Sequence, residues 1–342
     1  MSGGSEQVTG EAVAPQPVAK GRDWAAFVAA HKIQIAITLI LVGLYSLFLT
    51  GNPDVFLRYD IYRSFMSTMP FFGIMALAMT FVVTLGEMDL SFPSVMGFST
   101  WVFGTVYVSS ESFLLALLAC LLVGVIAGLG NGLLVAKVGI PSIVATIGTM
   151  FLWRGAVNMA AEGKGIALVS LRESPLHQVF VGRLFDDVLP MQFVWMVAIA
   201  VFLGLIYRRH RFGSHVLFVG DNAASAAMMG IKVDRVKIAC FMLVGGFAAL
   251  AGVFLTSEVT YFWPSQGDGM LLTTLAAVFI GGTSVFGGKG TLYGTFIGVL
   301  IIGSLEAGIV AIGLTGFYVQ FLYGLLITVS VSIYALLLRR GG

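Results

Sequence analysis

Charged residues are scarce in this sequence: Lys, Arg, Asp and Glu make up 11% of its 342 residues, whereas 58% are hydrophobic. A soluble globule of this length would lack the polar side chains needed to cover its surface. The mean hydropathy of +0.96 therefore indicates that most of the surface meets lipid. A net charge of +2 gives no indication of nucleic-acid binding, and we expect no nucleic-acid partner.

The sequence has only two cysteines, and it lacks common catalytic motifs. Cys120 and Cys240 lie in apolar stretches without CxxC spacing or neighbouring ligands, which indicates buried free thiols. The GxxxxGKS/T phosphate loop is missing, because residues 287–291 have neither its leading spacing nor a strand before it. Motifs such as HExxH, or GxSxG with His and acid partners, are absent too. We therefore expect a non-catalytic chain with no catalytic residue, no metal site and no cofactor.

What the sequence does contain is a series of long apolar stretches. A bilayer core requires about 20 mainly apolar residues per helical crossing. These stretches are apolar on all sides rather than alternating, which favours helices over a β-barrel. The candidate spans are 33–50, 64–85, 94–108, 113–136, 142–160, 192–207, 238–257, 271–285, 291–312 and 317–338. The pattern predicts an all-α membrane protein, a polytopic bundle of about ten transmembrane helices.

Two segments interrupt this apolar pattern. Residues 86–97 read GEMDLSFPSVMG and residues 281–290 read GGTSVFGGKG. Clustered Gly, Pro, Ser and charge cannot form a regular helix that faces lipid. We therefore expect broken or re-entrant segments here, lining a polar space.

The polar segments suggest a domain organisation. Residues 1–32 are predicted to form a disordered cytoplasmic tail with an interfacial lead-in, and residues 33–342 the transmembrane domain. Residues 208–237 are basic at both ends and are predicted to be the largest cytoplasmic loop, whereas 162–190 should lie outside. Lys and Arg are retained on the cytoplasmic side of a membrane, and their distribution predicts that both termini are cytoplasmic.

Four phrases, in order, resemble the permease subunits of ribose-type ATP-binding-cassette importers. They are TLGEMDLSFPSVM at 84–96, GIPSIVATIGTMFLWRG at 139–155, RFGSHVLFVGDNAASAAMMGIKVDRVK at 211–237 and LAAVFIGGTSVFGGKGTLYGTFIG at 275–298. The second resembles a family segment of the form PxFIxTLGTxxxxRG. The first departs from its family segment, GGIDLSxGSxM, because Glu87 stands where Gly is common and Phe92 and Pro93 replace Val and Gly.

This resemblance implies a function and partners. Such permeases form a path in pairs, so we expect a second permease subunit as a homodimer in the bacterial inner membrane. An ATP-binding-cassette ATPase subunit and a periplasmic solute-binding protein are the other expected partners. The 211–237 loop would contain the helix that couples the permease to the ATPase, with these residues at the contact: Asp221, Asn222, Ala223, Ala224, Met229 and Gly230. Either Asp221 or Asn222 can cap this helix, and Gly230 can end it.

Acidic groups in the first broken segment are the candidates for the translocation pathway. Glu87, Asp89 and Ser91 are proposed there, because ionisable groups at membrane depth are costly and usually face a cavity or a partner. For Asp89, an equally good interpretation is that it caps the helix beginning near Pro93 together with Ser91. Asn131 is interpreted as a hydrogen-bonding group between helices.

The solute is the least determined part of this prediction. The phrases are most similar to sugar permeases, which makes a monosaccharide the first choice. An autoinducer furanoside, a polyol, a nucleoside or a branched-chain amino acid stay open as alternatives. A secondary transporter of another family would share the hydropathy but couple transport through acids within the membrane.

Overall fold

A computed structural model describes Val28, residues 31–311 and residues 316–339. The predicted tail, 1–32, lies outside the described residues apart from Val28, His31 and Lys32, and residue 312 of one predicted span also lies outside them. The described residues from Ile33 onwards form one compact unit.

Helices make up nearly all of the regular structure. Their bounds are α1 Lys32–Gly51, α2 Pro53–Phe56, α3 Tyr59–Thr84, α4 Phe92–Ser110, α5 Phe113–Leu133, α6 Ser142–Ala161, α7 Pro175–Val181, α8 Met191–Arg209, α9 Arg211–Asp221, α10 Ala223–Met228, α11 Val233–Val259, α12 Met270–Ile280, α13 Leu292–Ala311 and α14 Gly316–Arg339. A π-helical turn, Leu134–Val138, extends α5, and a 3-10 helix covers Val169–Glu173.

Every predicted span overlaps one of these helices, which confirms an all-α polytopic membrane protein. The span 271–285 was predicted too long, because α12 ends at Ile280. Among the described residues, seven helices are long and apolar enough to cross a membrane: α1, α3, α5 with its π-helical turn, α6, α8, α11 and most of α13. The apolar helix α12 is shorter, at 11 residues, and α4 has 19 residues. The predicted 162–190 loop contains β2 (Arg183–Leu184), which pairs antiparallel with β3 (Leu189–Pro190), and β1 (Ile166–Ala167). Strand β1 pairs antiparallel with β4 (Tyr261–Phe262), which follows α11.

Helix α3 forms the centre of the core. Its residues from Met69 to Thr84 are all buried, and it packs against α8, α11, α12 and α13. Beside it, α5 and α11 approach at glycines, since a Cβ atom at Gly128 would overlap the carbonyl of Phe241. Lipid provides no hydrophobic drive between helices, so such close backbone approach is how membrane helices gain packing energy.

Both predicted breaks are present, and a glycine lies at each one. The first is shorter than predicted, because residues 92–97 of the 86–97 segment belong to α4. Two residues after the last residue of α3 comes Gly86, which has φ +77°, and two residues after the last residue of α12 comes Gly282, which has φ +81°. In each case the next amide also bonds back into the last turn, Glu87 N to Val82 O at 3.1 Å and Thr283 N to Val278 O at 3.2 Å. This left-handed termination is favourable for Gly because it has no Cβ, and it turns the chain sharply.

Candidate functional site

The predicted coupling segment folds as a short capped helix, α10. Asn222 occupies the N-cap position, and its Oδ1 accepts a hydrogen bond of 2.9 Å from the amide of Ser225. Asp221 is instead the last residue of α9. Of the two capping candidates, Asn222 is therefore the one in place, as expected for a side chain that satisfies an exposed amide of the first turn.

Gly230 ends this helix in the left-handed region, with φ +83°. Its amide donates to Ala227 O at 2.9 Å, and the amide of Ile231 donates to Ala226 O at 3.1 Å. A Cβ at Gly230 would meet no heavy atom of the chain within 4 Å. The constraint at Gly230 is thus conformational, and the space beside it is open for a partner.

The surface of this segment is mostly apolar and is uncovered. Within residues 221–230, Ala226 is buried and the others are exposed. Met228 and Met229 are 82% and 61% exposed, beside the small side chains of Ala223 and Ala224. Exposed Met beside small residues is typical of a surface that a partner covers.

The end of α9 lies against both broken segments at one backbone junction. The amide of Gly288 donates to the carbonyl of Thr84 at 2.8 Å. A Cβ at Gly220 would overlap that same carbonyl and lie 2.8 Å from the Gly288 amide. The Gly287 backbone packs against Gly86 and Gly220. We call Thr84, Gly86, Gly220, Gly287 and Gly288 the glycine junction; sequence reasoning found both breaks but not their meeting with α9.

Glu87 lies beside this junction and forms an ion pair with Lys237 of α11. Their Oε1 and Nζ atoms are 2.5 Å apart, and the two side chains are 15% and 22% exposed. Partial burial makes such a pair costly to break, because the remaining charge would be left without a partner. Glu87 therefore links the first broken segment to the helix that follows the coupling segment.

Asp89 and Ser91 form a small buried network with Asn131. Asp89 Oδ1 accepts from the amide and hydroxyl of Ser91 at 2.8 and 2.7 Å. Asn131 Nδ2 donates to Ser91 Oγ at 2.7 Å and Asp89 Oδ2 at 3.3 Å. Ser91 is the N-cap residue of α4. Asn131 bridges α5 to this turn, as predicted, and the geometry favours the local structural interpretation of Asp89 over direct contact with a solute.

An arginine within α6 holds the loop before α12, which sequence reasoning missed. Arg154 donates to the carbonyls of Pro264, Gln266 and Pro93 at 2.6 to 3.3 Å. Its guanidinium also lies 2.7 Å from the carboxylate of Asp268. The available signal was a lone Arg in the middle of an apolar helix, a position that is costly unless the charge is bound.

A polar cavity lies at the other end of α3. Its volume is about 330 Å³, and it is lined by Asp60, Arg63, Ser64, Ser67, Arg183 and Asp187. The Asp187 carboxylate forms an ion pair with each arginine: Oδ2 lies 2.6 Å from Arg63 Nη1, and Oδ1 lies 3.5 Å from Arg183 Nε. The lining residues of α3 lie between Asp60 and Ser67, so at 1.5 Å per residue the cavity is about 26 to 36 Å from Thr84 of the glycine junction.

Among the residues that the structure describes, no group of three or more His, Cys, Asp and Glu side chains is placed to hold a metal ion. Cys120 and Cys240 are both fully buried thiols.

Residues 61–331 match the model of a protein family described as the permease component of the branched-chain amino acid transport system. The match covers most of the chain. The chain belongs to this permease family.

Curated relatives in this permease family are similar over most of their own length. The ribose import permease protein of Bacillus subtilis is 35% identical over 76% of the chain and 80% of the relative. The L-arabinose transporter permease protein of Azospirillum brasilense is 31% identical over 86% of the chain and 85% of the relative. The autoinducer 2 import system permease protein of Salmonella choleraesuis is 31% identical over 74% of the chain and 72% of the relative. No solved structure shows a significant match.

Membership of the permease family agrees with the geometry of the broken segments. The model match includes the glycine junction, Arg154 and the whole of α10. A permease changes the shape of its path without unfolding. Helices that end at glycines inside the bundle line such a path while their backbone N–H and C=O groups stay hydrogen-bonded.

Proposed function

We propose that this permease is the transmembrane subunit of an ATP-binding-cassette importer that carries a monosaccharide into the cytoplasm. It works with an ATPase subunit and a periplasmic solute-binding protein, and a second copy of the chain completes the path. The chain itself is non-catalytic. The names of the ribose and L-arabinose relatives support the importer and the class of solute.

The observation that carries this proposal is the connection between α10 and the glycine junction. The exposed surface of α10 provides a contact for the ATPase. One residue before Asp221, Gly220 touches the backbone of Thr84 at the end of α3 and of the second broken segment. Movement of α10 on nucleotide binding would therefore be transmitted to Thr84 and Gly288 through backbone contacts, which are stiffer than contacts between long side chains.

Charge supports the orientation in which α10 is cytoplasmic. Basic residues surround this end of the bundle, namely Arg208, Arg209, Arg211, Lys232, Arg235 and Lys237. Basic residues close to span ends are retained in the cytoplasm, so both termini are placed there in this proposal. The polar cavity then opens towards the binding protein.

The composition of the polar cavity favours a neutral polar solute. Its two arginines are balanced by two aspartates, and two serines complete the lining. A branched-chain amino acid would leave its apolar side chain against charged groups there, which is unfavourable. An autoinducer furanoside is the second candidate, because the Salmonella relative is named as an autoinducer 2 import permease. A furanoside shares the hydroxyl chemistry of a sugar.

Reconstitution of the complex in proteoliposomes tests the proposed function. With the ATPase, the binding protein and ATP present, we expect uptake of radiolabelled ribose or L-arabinose. The chain without its partner subunit should show no ATP hydrolysis above background. Accumulation of solute by the chain alone, driven by an ion gradient without ATP, would contradict the proposal.

A further inference from the structure

Helix α12 is too short to cross a bilayer. It has 11 residues, which span about 16 Å, whereas a bilayer core is about 30 Å thick. Its end lies near Thr80 of α3, because Gly281 packs against the backbone of Thr295, whose hydroxyl is 2.7 Å from that of Thr80. Helix α3 begins at Tyr59, about 32 Å from Thr80. Since α12 packs against α3, it begins about halfway along α3, inside the membrane.

The chain reaches this depth through an irregular segment, residues 263–269, which we call the descending loop. It follows β4, which pairs with β1 of the 162–190 loop, and it ends at Gly269, the N-cap residue of α12. Within it, Ser265, Asp268 and Gly269 are exposed. Irregular chain at membrane depth does not face lipid, because its polar backbone would have no partner there. The exposed side of the descending loop therefore indicates a water-filled space.

Three helices hold the descending loop in place. Arg154 of α6 donates to the Gln266 carbonyl at 3.2 and 3.3 Å. The Gln266 side chain is fully buried, and its Nε2 donates to the hydroxyl of Thr256 in α11 at 2.8 Å. Gly267, which has φ +90°, packs against the carbonyl of Pro93 in α4. The exposed groups of the loop are therefore held in fixed positions.

Asp268 provides a charged group on the exposed side of this loop. Its Oδ1 lies 2.7 Å from Arg154 Nη2, and the Asp268 side chain is 59% exposed whereas that of Arg154 is 17% exposed. A carboxylate at membrane depth is costly unless it meets water, a polar ligand or a cation. The pair with Arg154 orients the carboxylate, whose second oxygen can accept a further hydrogen bond.

We propose that the descending loop lines the translocation path and that Asp268 accepts a hydrogen bond from a hydroxyl of the passing sugar. Arg154 is a positioning residue, because it holds both the loop backbone and Oδ1 of Asp268. A neutral solute rich in hydroxyl groups suits this site, since the Arg154 charge is balanced and the exposed oxygen is an acceptor. The inference rests on the proposed function and adds the residues that contact the solute.

Thiol labelling of the complete importer in proteoliposomes tests the loop without any solute. Both native cysteines are fully buried, so a reagent that cannot enter lipid, added on both sides, should modify only an introduced cysteine in this chain. Ser265→Cys should react. Phe151→Cys is the matched control and should not react, because Phe151 lies one helical turn from Arg154 and is 68% exposed on an apolar side of α6. Equal reaction of both, or no reaction of Ser265→Cys, would overturn the placement of the loop in the path.

Asp268→Ala tests the solute contact in the same complex, with ribose or L-arabinose as the probe. At saturating concentrations of liganded binding protein, we expect the uptake rate to fall about tenfold, because a hydrogen bond to a charged acceptor is lost. Glu162→Ala, which removes an exposed carboxylate outside the loop, should transport at the wild-type rate. The reactivity of Ser265→Cys should stay the same when Asp268→Ala is added, because Arg154 still holds the loop backbone.

These measurements separate a solute contact from a structural role. A wild-type uptake rate for Asp268→Ala would contradict the contact. A loss of uptake accompanied by altered reactivity of Ser265→Cys would also contradict it, because Asp268 would then only hold the loop. A wild-type complex that takes up neither sugar, although Ser265→Cys reacts, would instead refute the proposed function.

Discussion

Replacement of Gly220 by Ala should abolish uptake by the assembled importer. The added Cβ would overlap the Thr84 carbonyl oxygen and lie 2.8 Å from the Gly288 amide. Both groups belong to the backbone, and they are joined to each other by a hydrogen bond of 2.8 Å. Neither can withdraw without breaking that bond or moving a buried helix end. Forcing extra volume into such a contact costs about 1–3 kcal/mol.

The comparison that isolates this effect is Gly130→Ala. Gly130 also lies in a helix of the bundle, but a Cβ there would meet nothing within 4 Å. We expect Gly130→Ala to behave as wild type in membrane insertion, assembly and uptake. Gly220→Ala should insert and lose transport, measured as labelled solute accumulated per assembled complex. Wild-type uptake by Gly220→Ala would show that the glycine junction does not transmit coupling.

Gly230→Val should uncouple the permease from its ATPase, or prevent their assembly, while leaving insertion intact. A β-branched residue at φ +83° is strained by about 1–2 kcal/mol. No other atom of the chain lies within 4 Å of a Cβ at Gly230, so an internal clash adds nothing to this strain. The new side chain would instead project from the surface that the ATPase is proposed to cover. Co-purification with the ATPase and the ratio of solute transported to ATP hydrolysed are the two measurements.

Gly163→Val controls for backbone strain. Gly163 has φ +71° and is equally uncrowded, and it lies just past the end of α6, outside the proposed contact. Its substitution should cost similar stability without affecting ATPase binding. If both variants bind the ATPase and transport equally well, residues 221–230 are an ordinary connection.

Sequence predicted the helices well because their signal is local. Apolar stretches of sufficient length, such as the one that became α11, identify themselves by hydropathy alone. The breaks at Gly86 and Gly282 were also readable, since clustered glycine and charge exclude a lipid-facing helix. Helix α9 was not predicted as a helix within the 208–237 loop, although Gly213, Val216 and Val219 on its buried face recur at helical spacing.

The candidate sites were less accessible to sequence reasoning, because they depend on contacts between distant segments. Glu87 and Lys237 are 150 residues apart, and no periodicity links them. Arg154 lies in the predicted span 142–160, and the three backbone carbonyls that it binds belong to two other segments of the chain. The glycine junction is formed by backbone atoms, whose partners depend on how the helices pack rather than on side-chain identity.

The most direct test of the account is cross-linking of α10 to the ATPase. Cys120 and Cys240 are fully buried, so a cysteine introduced at Met228, which is 82% exposed, would react selectively. In the intact importer, Met228→Cys should cross-link to the ATPase subunit, whereas Phe185→Cys should not. Phe185 is 75% exposed between β2 and β3, beside the polar cavity at the other end of the bundle. Cross-links from Phe185→Cys to the ATPase, with none from Met228→Cys, would contradict both the coupling site and the orientation.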